Sequence, residues 1–290
     1  MKYCFIKELV EVYPVRLLCH VMQVSHSGYY AWRKRPAKLI SADELRLYRR
    51  MKELFAESRG SLGSRMLLKQ LRKEGFKVGR YRVRRLMKQL NLVVTQRRAY
   101  KVTTVRKHSH RVADNLVDQQ FNPEAANQVW AGDITYLRTH EGWLYLAIVM
   151  DLHARRIVGW AMDKRMSVDL IKRAMTMAIT LRKPQRGLLF HSDRGSQYTS
   201  KRFSKLLKKH GILPSMSGKG VCWDNAVVER FFGSLKNEWL LKIYHLTREA
   251  MKQDVQHYIR YYNQTRLHTA NGDLSPIDFE LSLLKVSCAA

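Results

Sequence analysis

Apolar side chains in the first third of the chain recur at the spacing of amphipathic helices. Ser41 and Glu44 stand three positions apart, as the two ends of a capping box do, and predict where the first long helix begins. Gly75 and Gly79 interrupt the pattern and separate two further helices, so we predict a tri-helical domain over residues 41–94. The apolar stripes are Leu45, Tyr48, Met51, Leu54 and Phe55 in the first helix, Met66, Leu67 and Leu71 in the second, and Val83, Leu86 and Met87 in the third.

Residues 1–40 carry a shorter helical pattern. Apolar residues recur at helical spacing after Pro14, a polar turn follows at residues 24–28, and Tyr29, Tyr30 and Trp32 come next. The pattern resembles a short helix-turn-helix. An ordinary helical hairpin with its aromatic side chains in the core fits these residues equally well, so both interpretations stand.

The residue types along the chain change at Gln128, where β-branched and aromatic residues become frequent. Residues 95–127, before this change, carry no sustained period and are predicted to be a linker. β-Branched and aromatic residues then concentrate in short stretches separated by turns. The stretches predict strands over residues 130–138, 143–152, 156–162, 188–191 and 212–216, and helical spacing predicts helices over residues 167–181, 199–210 and 225–240.

Hairpin strands followed by alternating helices and strands predict an α/β architecture. The expected fold is a mixed five-stranded sheet with flanking helices, of the ribonuclease H type, over residues 128–245. The all-α region precedes it, and a C-terminal helical segment follows over residues 246–290.

The charge of the chain indicates a polyanionic partner. Lys and Arg number 53 against 24 Asp and Glu, a formal net charge of +29, and residues 60–111 hold 16 basic residues and a single acidic one, Glu74. Such a stretch releases condensed counterions when it meets a phosphate backbone. A charged solvated surface or an anionic membrane would also explain the excess. Nucleic acid is favoured because the basic residues lie inside helical patterns and not beside a large apolar face.

The third predicted helix is the most basic and suits a recognition helix in a major groove. Its side chains would contact phosphates or guanine edges. The candidate DNA contacts are Arg80, Arg82, Arg84, Arg85 and Lys88.

Cysteine usage and hydropathy exclude other classes of protein. The four cysteines lie far apart and form no CxxC pair, so neither a disulfide framework nor a Cys-rich zinc site is expected. Charged Lys7, Glu8 and Glu11 interrupt the apolar stretch that a signal peptide would need, and the longest apolar run, residues 144–150, is too short to cross a bilayer. We expect a reduced, cytoplasmic protein with no membrane partner.

Three acidic residues stand where strands and one helix would bring them together. Asp133 lies inside an apolar strand, Asp193 ends another, and Glu229 lies on the last predicted core helix. Clustered carboxylates repel one another unless a cation lies between them. Their hard oxygen atoms suit Mg²⁺ or Mn²⁺, and two such ions support phosphoryl transfer without a covalent intermediate. A lone Asp is more often a solvated or salt-bridged surface residue, but the positions of all three favour a site.

The helix of Glu229 carries further candidates. Asn225, Glu229 and Lys236 are spaced to share one helix face, so a metal ligand and a DNA-binding cation would point the same way. Residues 217–220, with Lys219, form a Gly-rich loop suited to closing over substrate. Lys236, Asn225 and Lys219 are therefore candidate DNA contacts.

Three segments resemble the signatures of DDE transposases with a retroviral-integrase-type core. They are Trp130-Ala-Gly-Asp-Ile-Thr-Tyr, His191-Ser-Asp-Arg-Gly-Ser-Gln-Tyr and Trp223-Asp-Asn-Ala-Val-Val-Glu-Arg-Phe-Phe, and 35 residues separate Asp193 from Glu229, as in that family. More closely, the chain resembles the OrfB-type product of the IS-three group of bacterial insertion sequences. Gly63-Ser-Arg in the tri-helical region and Tyr261-Tyr-Asn-Gln-Thr-Arg-Leu-His268 near the end fit that group.

The resemblance implies cleavage at the terminal inverted repeats of an element and strand transfer into target DNA, with no organic cofactor. It implies that Asp133, Asp193 and Glu229 bind two Mg²⁺ or Mn²⁺ ions, that Lys236 contacts the transposon end, and that a homo-oligomer acts at the nucleoid. This group often fuses an upstream frame to the present one, so the upstream product is an expected partner; the chain has no leucine zipper of its own. The sequence departs from the family after Asp151, where Ala154 replaces a common Ser.

Three other functions would each explain part of this sequence. A non-catalytic DNA-binding regulator would not need the acidic residues. A tyrosine recombinase would need a nucleophile such as Tyr262 beside Arg266 and His268, although aromatic packing of a C-terminal helix explains these residues more simply. A ribonuclease H type nuclease would share the fold and the metals, but would not need the basic helical half.

Overall fold

The structure, a computed structural model, describes residues 2–34, 40–94, 113–117, 121–218 and 226–287. The chain forms two compact units, residues 1–49 and 50–290. Most of the predicted linker, together with Lys219 and Asn225, lies outside the described residues. Because the helices over residues 64–89 share the second unit with the sheet, the boundaries of the five segments expected from the sequence stay predictions.

In the first unit, short helices surround a small core. Tyr29 is fully buried there, as the helical-hairpin interpretation expects, whereas Tyr30 is exposed. Ser25 caps the third helix, since its Oγ accepts the N–H of Gly28 at 3.0 Å. The first helix was not predicted, and the burial of Ile6 explains why packing holds it. The helices are α1 (Lys2–Leu9), α2 (Val15–Val21) and α3 (His26–Arg33).

The predicted tri-helical pattern is confirmed in three helices, α4 (Ala42–Glu57), α5 (Ser64–Lys73) and α6 (Arg80–Gln89). Ser41 begins α4 as predicted, because its Oγ accepts the N–H of Glu44 at 3.2 Å.

The second unit contains a mixed five-stranded sheet in the order β3-β2-β1-β4-β5. The first three strands pair antiparallel, and β4 and β5 run parallel to β1. The predicted α/β fold is therefore confirmed. The strands are β1 (Val129–Thr139), β2 (Gly142–Asp151), β3 (Arg156–Asp163), β4 (Leu189–Ser192) and β5 (Leu213–Met216).

Helices cover both faces of this sheet. One buried cluster joins the strands to α7 and α8, and a second joins them to α9 and α10. Gly159 allows the close approach of α7, because a Cβ there would overlap the carbonyl oxygen of Ala174. The helices are α7 (Val168–Arg182), α8 (Lys201–Lys209), α9 (Ala226–Ser234), α10 (Arg248–Gln264) and α11 (Pro276–Ser287).

The predicted α-helix over residues 225–240 is α-helical only as far as Ser234. After α9 the chain makes a π-helical turn, Leu235–Trp239, and then a 3-10 turn, Leu240–Lys242. Leu235 and Trp239 of the π-helical turn are both buried. Prediction of a single α-helix to Leu240 was therefore wrong in its second half.

Ion pairs join the tri-helical region to the C-terminal segment within the second unit. Arg59 binds Asp254 of α10 at 2.5 Å, and its guanidinium lies 4.3 Å from the centroid of the Trp239 ring. Lys69 binds Asp273 at 2.5 Å and Lys73 binds Asp278 at 2.6 Å. These contacts make segments that are far apart in sequence parts of one packed body.

A buried ion cluster fastens α11 to the sheet. Arg182, at the end of α7, lies 3.2 Å from Asp151 of β2 and 2.9 Å from Glu280 of α11. Asp151 is fully buried and also accepts the N–H groups of Asn127 and His153. Burial raises the pKa of Asp151, and the hydrogen bonds and Arg182 oppose that rise.

Candidate active site

Parallel pairing of β1 and β4 brings two of the predicted acids to neighbouring positions. Gly132 of β1 is paired with Ser192 of β4, and the residues that follow them are Asp133 and Asp193. Both aspartates are partly buried. Gly132 is needed beside Asp133, because a Cβ at that position would overlap the ring of Phe190.

Backbone hydrogen bonds orient both carboxylates. Asp133 Oδ1 accepts the N–H of Ile134 at 2.7 Å, and Asp193 Oδ1 accepts the N–H of Gly195 at 2.9 Å. In each case the donor is a backbone N–H one or two residues further along the chain. The middle of β1 and the end of β4 therefore present two acidic groups in defined directions.

A buried polar network holds the end of β4 to β5. The His191 ring lies 3.0 Å from Ser215 Oγ through Nδ1 and 3.2 Å from Ser217 Oγ through Nε2. The N–H of Ser217 donates to the carbonyl of Ser192 at 3.1 Å, and Arg194 Nε donates to the carbonyl of Ser217 at 2.6 Å. This network, which sequence reasoning did not assign, fixes the chain on both sides of Asp193.

Glu229 lies on α9, which packs against β1. Val228 and Phe231 of α9 are buried in the cluster that includes Ala131 and Leu137 of β1. The Glu229 side chain is exposed overall, and partial burial of its carboxyl group raises its pKa above the usual range.

The predicted three-carboxylate cluster is only partly assembled. Over the parts of the chain that the structure describes, no group of three or more His, Cys, Asp or Glu side chains is arranged to hold a metal ion. Asp133 and Asp193 share one end of the sheet, while Glu229 is carried by the helix that packs on β1. The role of all three as metal ligands stays a prediction.

Lys236, in the π-helical turn, lies near Asp133. Its Nζ is 5.0 Å from the centroid of the Tyr136 ring. Burial lowers the pKa of Lys236, and the charges of Tyr136 and Asp133 oppose that change. A half-buried cation therefore lies beside Asp133, and its contact with DNA stays a prediction.

The other predicted DNA contacts lie on exposed surface or outside the described residues. Arg80, Arg82, Arg84, Arg85 and Lys88 are all exposed on α6, while Val83 and Leu86 face the core.

Sequence reasoning missed a second basic face, on α8, where charged residues alternate with buried Phe203 and Leu207. Its exposed members are Lys201, Arg202, Lys205, Lys208 and Lys209.

Tyr262, the nucleophile that a tyrosine recombinase would need, is buried. Its ring makes edge contacts with Phe231 and His268 at centroid distances of 4.7 Å and 4.6 Å. Burial also lowers the pKa of His268 to about 3, so its ring is neutral. The aromatic-packing interpretation of this segment is therefore the one the structure supports.

Family models match most of the chain. The model of an HTH-like domain matches residues 42–100, and two models of an integrase core domain match residues 123–222 and 210–276. Transposase InsF for insertion sequence IS3A, from Escherichia coli (strain K12), is 39% identical over 283 residues, which are 97% of this chain and 98% of that protein. The 31 kDa protein of insertion element IS600 from Shigella sonnei is 41% identical over 264 residues, 90% of this chain and 97% of that protein.

Similarity to solved structures is weaker. A chain of the simian T-cell lymphotropic virus intasome in complex with PP2A regulatory subunit B56 gamma has a TM-score of 0.49 and 15% identity, over 79% of this chain and 74% of that chain. The catalytic core domain of HTLV-2 integrase in complex with magnesium, in its trimeric form, has a TM-score of 0.44 and 19% identity, over 53% and 96%. The fold is therefore assigned from the strand order and the family models.

The helical region, the mixed sheet with two aspartates at one end, and the matches to family models agree with one another. The sequence identity to InsF extends over nearly the full length of both proteins. The chain belongs to the family of insertion-sequence transposases that carry an HTH-like domain and an integrase core domain.

Proposed function

We propose that this chain binds the terminal inverted repeats of an insertion sequence and catalyses metal-dependent strand cleavage and strand transfer of DNA. The observation that carries the proposal is the placement of Asp133, inside β1, beside Asp193, which directly follows β4, in a member of the transposase family. Such a protein acts on chromosomal DNA, in the cytoplasm at the nucleoid. No helix in the described ranges is long and apolar enough to cross a membrane.

The donor atoms at the site fit a hard divalent cation. Asp133 and Asp193 offer carboxylate oxygens, the ligands that Mg²⁺ and Mn²⁺ prefer, and Glu229 on α9 supplies a third carboxylate. When bound, two such ions would activate a water or a 3′-hydroxyl on one side of a phosphodiester and stabilise the leaving oxygen on the other.

The side chains of this chain then have separate roles. Asp133 and Asp193, oriented by backbone N–H groups, hold the cation, and Lys236 beside Asp133 contacts a DNA phosphate. Glu229 must lose its proton to bind metal, and its raised pKa means that protons compete for it as the pH falls toward that value. Cation affinity should therefore weaken on acidification.

Two basic helices supply the wider DNA surface in this proposal. The exposed arginines of α6 recognise the terminal repeat, Lys219 and Asn225 are further proposed contacts, and the basic face of α8 binds DNA backbone. A homo-oligomer holds paired ends, and the upstream-frame product of the same element is a further proposed partner.

The full-length chain, incubated with DNA that carries the ends of its own element, should cleave and join strands only when Mg²⁺ or Mn²⁺ is present. A denaturing gel of end-labelled DNA measures both products, and the same reaction with a chelator is the control. Equal cleavage in the chelator would rule out the metal mechanism. Binding without cleavage under every condition would favour the non-catalytic regulator.

Replacing Arg84 and Arg85 together with Ala should weaken binding to the element ends and flatten its dependence on salt. Each lost phosphate contact removes about one unit from the slope of log affinity against log salt concentration. Fluorescence anisotropy over a series of salt concentrations measures that slope. Arg173→Ala on α7, which removes another exposed arginine, is the matched control. An unchanged slope in the double variant would place the DNA-binding face elsewhere.

A further inference from the structure

The hairpin of β1 and β2 exposes two aromatic rings near the candidate active site. Tyr136 is 42% exposed and Trp143 is 43% exposed, and their centroids are 5.3 Å apart with perpendicular rings. The strand register pairs Arg138 with Trp143, which places all three side chains on one face of the hairpin. We call Tyr136, Arg138, Trp143 and Lys236 the aromatic strip.

A cation accompanies each ring of the aromatic strip. Lys236 Nζ lies 5.0 Å from the Tyr136 centroid, and the Arg138 guanidinium lies 5.8 Å from the Trp143 centroid. The acid of the hairpin turn, Glu141, is engaged elsewhere, because its carboxylate accepts the N–H of Arg248 at 2.8 Å. The strip is therefore aromatic and positively charged, which suits a polyanion that carries flat rings.

The strip lies at a distance from the acids that a nucleic acid strand can span. Tyr136 is three residues beyond Asp133 on the same strand, about 10 Å at the rise of a β-strand, and because side chains alternate along a strand these two point to opposite faces of β1. A nucleic acid strand that reaches both must pass over the edge of β1 beyond Gly132, where its pairing with β4 ends. The separation along β1 is roughly three nucleotides at the 3.4 Å spacing of one DNA strand. Lys236 interacts with both the aromatic strip and the acidic site, because it contacts the Tyr136 ring and also interacts with Asp133.

We propose that the aromatic strip binds unpaired nucleotides of the DNA strand that enters the active site. This inference rests on the proposed function and adds a stacking subsite to it. Exposed aromatic rings beside cations bind single strands because each base presents a flat face. A base inside a duplex has both faces covered by its neighbours, so the strand at the strip must be unpaired.

The strip can be tested by binding, without any cleavage. The probes are a blunt duplex with the element end and the same duplex with a three-nucleotide single-stranded extension, both measured by anisotropy with Ca²⁺ in place of Mg²⁺. Trp143→Ala should weaken binding of the extended DNA roughly tenfold, the loss expected for one base stack, and leave the blunt duplex unchanged. Trp143→Phe keeps a stacking ring and should retain most of the preference.

Photocrosslinking identifies the contact directly. With 5-iododeoxyuridine in the extension, ultraviolet light should join the DNA to Trp143 or Tyr136, and mass spectrometry of the digested protein locates the joined residue. If Trp143→Ala binds the extended DNA as tightly as wild type does, or if crosslinks form only outside the strip, the proposal is overturned.

Two further outcomes separate this inference from its alternatives. If wild type cleaves DNA with Mg²⁺ but shows no preference for the extension, the stacking subsite fails and the transposase function stands. If Trp143→Ala instead changes the oligomeric state in sedimentation and not the preference for the extension, the strip is a contact between copies of the chain and the proposal fails.

Discussion

Asp193→Asn is expected to lower the rate of strand cleavage at least about a thousandfold, the effect of losing about 4 kcal/mol of transition-state stabilisation. Asparagine has nearly the same shape as aspartate but carries no charge to hold a divalent cation. Its Oδ1 can still accept the N–H of Gly195, so the local backbone should keep its conformation. DNA affinity should change little, because the exposed basic helices are untouched.

The measurement is a single-turnover cleavage assay beside an anisotropy titration on the same DNA. Asp169→Asn is the matched control, since Asp169 is an exposed aspartate of α7 that pairs with Arg202. Glu229→Gln should behave like Asp193→Asn, which tests whether α9 supplies a third ligand. Cleavage by Asp193→Asn at the wild-type rate would refute the proposed site, and normal cleavage by Glu229→Gln alone would remove Glu229 from it.

Arg182→Met should lower the free energy of unfolding by about 3 to 5 kcal/mol, the usual effect of removing one partner from a buried ion pair. Methionine keeps much of the apolar stem but leaves Asp151 and Glu280 without their shared cation. Asp151 is fully buried, so water cannot replace the lost charge. Urea unfolding at neutral pH measures the change.

The pH dependence of the Arg182→Met effect provides a second readout. Burial already raises the folded-state pKa of Asp151, so the folded chain binds more protons than the unfolded chain just above the ordinary value of 3.8, and stability falls as pH rises through that interval. Loss of Arg182 raises this pKa further. The difference between variant and wild type should therefore shrink on acidification toward pH 4. Arg173→Met, an exposed arginine on the same helix, should cost less than about 1 kcal/mol at either pH.

Local pattern was enough to predict several elements of this protein. Ser41 and the apolar stripe after it predicted α4, and the β-branched and aromatic residues around Trp130 and Trp143 predicted β1 and β2. These predictions succeeded because capping and periodicity depend on residues close in sequence. The signature segments around Asp133 and Asp193 likewise predicted the family, which the relatives confirm.

Contacts between distant segments explain what the pattern did not predict. Helix α1 depends on burial of Ile6, and the π-helical turn at residues 235–239 places Leu235 and Trp239 in a core shared with Tyr258. Arg59 meets Asp254 across 195 positions of sequence. Local periodicity cannot predict such pairings, because the groups whose contacts stabilise them meet only after folding.

The sequence by itself determined the basic character of the chain, the order of most helices and strands, and the identity of the three candidate acids. Only the tertiary structure decided that Asp133 and Asp193 become neighbours, through the pairing of Gly132 with Ser192, and that Glu229 is carried on a helix packed against β1. It also decided that Tyr136 and Trp143 stay exposed beside cations. The physical reason is that composition and periodicity reside in local chain segments, whereas register and solvent exposure depend on which segments pack together.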